Sequence, residues 1–110
     1  VRTDILDPKE SDIENRLVTR VNKRGGLAWK FVSPNNRSVP DRLVMLNGWI
    51  FFVELKAPGK WLTPKQEGKA KDIRGQWMHC WCITNFTEVE FIVDLYMLSP
   101  GPFYFLRWVI

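Results

Sequence analysis

The dipeptide Asn47-Gly48 constrains this chain more than any other feature. Two β-rich runs flank it within Pro40–Lys56, and Asn-Gly between such runs is the strongest short hairpin signal. A two-residue loop fixes the pairing register, because a slip of one residue would turn every side chain to the other face. Leu46 then opposes Trp49, and stepping back one residue at a time on both strands brings Asp41 opposite Glu54. Directly opposed residues lie about 4.5–5.5 Å apart at Cβ. Two carboxylates at that spacing repel each other, and a divalent cation between them would turn the repulsion into a site.

Lys56 follows Glu54 by two residues and so points to the same face of the strand. Two carboxylates, an ammonium and the intervening Leu55 carbonyl form the set that metal-assisted phosphodiester hydrolysis uses. All-oxygen ligands select a hard cation, Mg²⁺ or Mn²⁺. The lysine would orient the attacking water or stabilise developing negative charge. A bare Glu-x-Lys is common on exposed strand ends, where both charges are simply solvated; the computed match to Asp41 separates this one from that background.

The chain has 110 residues, enough for one domain with one core. Hydrophobic residues make up 45%, which excludes a disordered chain. A formal charge of +4 and a pI near 9.3 suit a polyanionic partner without proving one. No apolar run is long enough for a bilayer span, and no signal-peptide pattern is visible. The chain begins at Val1 and not at Met, which suggests trimming or a fragment boundary. Cys80 and Cys82 alternate to one strand face, where they do not suit a disulfide and read as buried thiols in a reducing compartment. His79, the only histidine, reads as a bystander and excludes multi-histidine nuclease sites.

In chain order, residues 1–10 carry no periodic pattern and are expected to be a poorly ordered lead-in. Ser11-Asp12-Ile13-Glu14 predicts a capping box opening a helix, with Ile13, Leu17, Val18 and Val21 as its apolar stripe and Gly25-Gly26 as its stop. Leu27–Val32 predicts a strand with Lys30 amid apolar neighbours, either an anti-aggregation edge lysine or a group with an anionic partner. The loop 33–39 puts Asn36 and Arg37 beside Asp41, as phosphate contacts or as a solvated turn. Thr63-Pro64-Lys65-Gln66 predicts a second helix, capped by Thr63 with Gln66 as its third residue, basic through Lys65, Lys69, Lys71 and Arg74 and ended by Gly75. Met78–Ile83 predicts a further strand. Thr87-Glu88-Val89-Glu90 predicts a third capping box, opening a helix that carries Phe91, Ile92, Leu95 and Tyr96. Beyond Ser99-Pro100-Gly101-Pro102, the segment Phe103–Ile110 is too apolar to hang in water. It is expected to add a strand, cover the core or enter a partner subunit.

These residues resemble the PD-(D/E)XK nuclease superfamily, and within it the small stand-alone VRR-NUC proteins of phage type. The resemblance runs through Glu14, Gly25-Gly26, Lys30, Val39-Pro40-Asp41-Arg42, Glu54-Leu55-Lys56 and Gln66, over about residues 11–95. It implies an α/β fold of order αβββαβα, a mixed central sheet of about four strands flanked by helices. One nuclease domain over 1–110 is expected, with an apolar tail from residue 96. It implies a metal-dependent DNA endonuclease using Mg²⁺ or Mn²⁺ and no small-molecule cofactor, acting in the cytoplasm of a phage host or bacterium.

In the resemblance, Asp41, Glu54 and the Leu55 carbonyl hold the metal, Lys56 assists catalysis, and Glu14 and Gln66 stand at the site. Glu14 keeps two readings, cap partner of Ser11 or metal-side carboxylate; Gln66 is compatible with both of its roles. Lys30 leans toward the active site. Lys30, Arg37, Arg42, Lys60, Lys65 and Lys69 are the candidate DNA contacts. Stand-alone members of the family act as homodimers on branched DNA such as Holliday junctions. A flap or nicking nuclease, or a non-catalytic DNA-binding module of the same fold, is the alternative. A small interaction protein whose apolar tail is the working part is a third class.

Overall fold

The computed structural model describes residues 7–106. The element order is α1 (Glu10–Lys23), β1 (Leu27–Lys30), β2 (Arg42–Leu46), β3 (Trp49–Leu55), α2 (Pro64–Gly75), β4 (His79–Ile83) and α3 (Phe86–Met97), then a one-turn 3₁₀ segment, Tyr104–Leu106. The strands form one sheet in the order β1-β2-β3-β4. The first three pair antiparallel, and β4 joins β3 in parallel. A parallel neighbour demands a long crossover, and α2 supplies it. This is the expected mixed sheet in the expected order.

The hairpin has the register that its turn dictates, with Leu46 opposite Trp49 and Arg42 opposite Val53. Asn47 and Gly48 have φ of 51° and 79°, the double left-handed geometry of a type I′ turn. Alternation then sorts the strands. Val44, Leu46, Phe51, Val53, Leu55 and Ile83 face a core closed by Ile13, Leu17 and Val21 of α1 and by Val89, Ile92, Val93 and Tyr96 of α3. Glu54 alternates to the opposite face, which α2 covers. Among the described residues, no helix is long and apolar enough to cross a membrane.

Several boundaries differ from expectation. Helix α1 starts two residues earlier than Ser11-Glu14 predicts: Asp12 accepts the Lys9 backbone N–H at 2.8 Å, so Asp12 and not Glu14 is the third-residue cap partner. Ser11 lies inside the first turn. Glu14 is thereby released from capping. Helix α3 is capped by Asn85, not Thr87. Asn85 accepts from the Glu88 N–H at 2.8 Å, and the Glu88 carboxylate takes the Thr84 N–H at 2.7 Å. Asn85 is extended there, as a cap must be, and outranks threonine in that role. The shift turns the helix, so Val89 and Val93 join Ile92 and Tyr96 in the core while Phe91 and Leu95 face out. Strand β1 stops at Lys30, because Phe31 keeps one backbone bond to Asp41 and Val32 is exposed.

Through Leu106 the tail adds no strand. It folds across the hairpin turn instead, with the Gly101 N–H on the Asn47 carbonyl at 2.8 Å and the Phe103 N–H on the Gly48 carbonyl at 3.0 Å. The Trp49 indole donates to the Ser99 carbonyl at 2.9 Å. The backbones approach so closely that a Cβ on Gly101 would collide with the Gly48 carbonyl and the Trp49 ring. Gly101→Ala is therefore expected to lower stability by about 1–3 kcal/mol, the usual range for forced overpacking, as read by urea denaturation. An unchanged midpoint would show that the tail does not dock on the turn. The expectations for residues 1–6 and for Arg107, Trp108, Val109 and Ile110 lie outside the described residues.

Candidate active site

The hairpin ends build the site. Pro40 fixes the backbone leading to Asp41, and the register carries Asp41 to the end of β3. There the Asp41 carboxylate accepts the Leu55 backbone N–H at 2.8 Å. That bond pins the aspartate beside Glu54, which is only 6% exposed. The Glu54 carboxyl is pushed up to about 8, first by burial, then by the Asp41 charge, with the Lys56 ammonium pulling it back. Hydrogen bonding to Asp41 also favours its protonated form. A buried carboxyl beside a half-buried one is an anionic site that a cation would compensate.

Helix α2 closes the other side. Thr63 caps it as expected, accepting the Gln66 N–H at 3.2 Å, while the Gln66 side-chain oxygen takes the Thr63 N–H at 2.9 Å. The amide nitrogen of the same glutamine donates to Glu54 at 3.0 Å. One side chain thus caps the helix and touches the carboxylate. Ser38, Pro40, Leu62, Ala70, Arg74, Cys80 and Trp81 complete the cleft around Glu54 and Gln66.

Other candidates lie elsewhere. Glu14 accepts from Arg42 at 2.9 Å, in an ion pair with both side chains largely covered, and Arg42 also donates to the Ala28 carbonyl at 2.9 Å. Arg42 therefore braces α1 against the sheet and is not an open cation. Lys30 is exposed, opposite Arg42 on the α1 side of the sheet, away from the face of Glu54. Lys60 is exposed in the turn after β3. Arg37, Lys65 and Lys69 come together, lining a surface cleft of about 320 Å³ with Ser38, Gly68 and Asp72.

Sequence reading missed Glu10. Its charge reaches Glu54, as the weakest of the influences on that carboxyl, whereas Glu14 does not figure among them. Glu10 and Glu14 stand one helical turn apart on one face, so the spacing held the signal. Among the described residues, no group of three or more His, Cys, Asp or Glu side chains converges as a metal cage. Two carboxylates with a backbone carbonyl are nonetheless a sufficient set for Mg²⁺, which keeps several waters and takes one or two carboxylates plus substrate phosphate.

No protein-family model matches the chain. Over 59 residues it is 61% identical to "Putative nuclease p44" of Acyrthosiphon pisum secondary endosymbiont phage 1. That match takes in 53% of this chain and 63% of the phage protein, so the chain spans under two thirds of that relative. A solved structure described as a VRR_NUC domain superposes with a TM-score of 0.73 at 26% identity, over 79% of this chain and 96% of the other. This chain therefore has the VRR-NUC nuclease fold.

Proposed function

We propose that this chain is a metal-dependent DNA endonuclease that hydrolyses phosphodiester bonds. The observation that carries the reading is the Glu54 carboxyl, buried against Asp41 with Lys56 acting on it and Gln66 bonded to it. Burying a carboxylate beside another is unfavourable unless a cation compensates. Asp41, Glu54 and the Leu55 carbonyl would hold Mg²⁺ or Mn²⁺. Such an ion, when bound, polarises a phosphate and acidifies a water. Asp41 is held on the Leu55 N–H, which leaves its other carboxylate oxygen to a cation. Gln66 orients Glu54. Lys56 stabilises charge on the scissile phosphate or directs the attacking water. Glu10 is the helix acid whose field reaches the site, and Glu14 serves indirectly by fixing Arg42. Arg37, Lys65 and Lys69 supply backbone phosphate contacts beside it.

The test is a panel of labelled linear, flap and four-way DNAs with Mg²⁺, Mn²⁺ or chelator. Cutting that needs the cation and favours branched DNA supports the full reading. Binding without cutting in any metal would leave a non-catalytic module.

Branched substrates bring an assembly with them. A two-fold junction needs two cuts, one site makes one, and a two-fold homodimer supplies both. Phe105, 73% exposed on the tail, is the described residue best placed to anchor such a contact. Light scattering should find a dimer at micromolar concentration and a monomer for Phe105→Asp. A monomeric wild-type chain would refute the dimer, and a dimeric variant would move the interface off Phe105.

A further inference from the structure

Helix α2 ends in a way that its sequence does not require. The Trp77 N–H bonds to the Arg74 carbonyl at 2.9 Å and the Met78 N–H to the Ile73 carbonyl at 3.4 Å. This pattern places Trp77 at the first position past the cap, where the chain turns left-handed and glycine is the usual residue. Trp77 adopts φ of 64°, an outlier for a bulky side chain. Its indole is 93% exposed, so no burial offsets the strain. Strain kept without a structural return points to use.

Trp77 lines a cleft of about 360 Å³ with Arg74, Met78, His79, Cys80 and Trp81. The walls are preset. The Trp81 indole donates to the Tyr96 hydroxyl at 2.7 Å, and the same hydroxyl bonds His79 Nδ1 at 2.6 Å. Trp49 stacks on the His79 ring, with centroids 5.8 Å apart. Arg74 is tied by one N–H to the Cys80 carbonyl at 2.7 Å, which orients the guanidinium and leaves its other donors to an anion. Among the described residues, no acidic side chain lines this cleft. It shares Arg74, Cys80 and Trp81 with the cleft around Glu54.

We infer that this cleft binds an unpaired nucleobase of a DNA strand, stacked on Trp77, with the adjoining phosphate on Arg74. Flat aromatic faces take any base, a guanidinium takes the phosphate, and the shared wall sets this base next to the carboxylate site. A duplex with no unpaired base has nothing to offer the cleft. The inference rests on the chain binding DNA and not on its cutting it.

The test is the full chain and its Trp77→Gly and Trp77→Phe variants, titrated in chelator by fluorescence anisotropy against single-stranded, gapped and blunt duplex DNA. Glycine suits the left-handed position, so Trp77→Gly should melt no lower than wild type. It should bind single-stranded and gapped DNA on the order of tenfold or more weakly, the range for losing one base stack, with blunt duplex unchanged. Trp77→Phe should retain most of the lost affinity. Unchanged single-strand affinity, or an equal loss on all three DNAs, would overturn the inference. So would a variant whose only defect is lost self-association in light scattering, since the patch would then cover a second copy. Cleavage by wild type in Mg²⁺ or Mn²⁺ is scored separately. Trp77-dependent binding without cleavage sinks the nuclease reading alone, and normal cleavage with Trp77-neutral binding sinks the base site alone.

Discussion

Glu54→Gln is expected to abolish cleavage and, in chelator at pH 9, to raise the melting temperature by about 10 °C. Both effects have one cause. The folded chain holds the Glu54 proton up to about 8, while the ordinary value is 4.5. Between those values the folded state keeps a proton that the unfolded state has lost, so stability falls as pH rises, by up to about 1.4 kcal/mol per pH unit. The stability from the neutral, hydrogen-bonded carboxyl is complete below about pH 4.5 and gone once pH passes about 8. The penalty is then on the order of 2–4 kcal/mol. A glutamine carries no charge at any pH and still offers groups to Asp41 and Gln66. The gain in melting temperature should therefore shrink to nothing near pH 5, and saturating Mg²⁺ should restore part of it to wild type alone. Asp41→Asn should behave alike in cleavage. An active Asp41→Asn, or a Glu54→Gln that melts lower than wild type at pH 9, would remove the pair from the site.

Lys56→Ala is expected to slow single-turnover cleavage by about 10²–10³-fold, the range for losing one electrostatic stabiliser, while metal binding persists. The lysine lowers the Glu54 proton affinity, and so it sits within reach of the carboxylates without being able to coordinate a cation itself. Removing it should also push the Glu54 titration further up in metal-free protein. Wild-type single-turnover rates in Lys56→Ala would take the lysine out of the chemistry, and loss of metal binding would recast it as structural.

The geometry of the candidate site was legible where local rules leave one solution. A type I′ turn at Asn47-Gly48 permits one register, and a ladder that ends with Arg42 opposite Val53 leads Asp41 to the Leu55 N–H beside Glu54. Thr63-Pro64-x-Gln66 likewise reads one way, and the amide left over after capping is the group that meets Glu54. Capping boxes were less legible, because acids crowd the first turn of α1 and the third-residue pattern fits both Lys9–Asp12 and Ser11–Glu14. The choice decides whether Glu14 caps the helix or is released to pair with Arg42, a difference that only packing resolves. Asn85 and Thr87 competed in the same way. The apolar tail announced that it must be covered, but its seat on the hairpin depends on glycines at 48 and 101 meeting across the fold. Trp77 was hidden behind Gly75, which looks like the helix stop while the left-handed turn falls two residues later.

Calorimetric titration of the metal-free chain with Mn²⁺, beside Asp41→Asn, tests the central claim most directly. The expected result is saturable binding to wild type, accompanied by proton release near pH 7 as Glu54 ionises, and no binding to Asp41→Asn. Equal Mn²⁺ binding by both proteins, or none by a folded wild type, would contradict a cation site between Asp41 and Glu54.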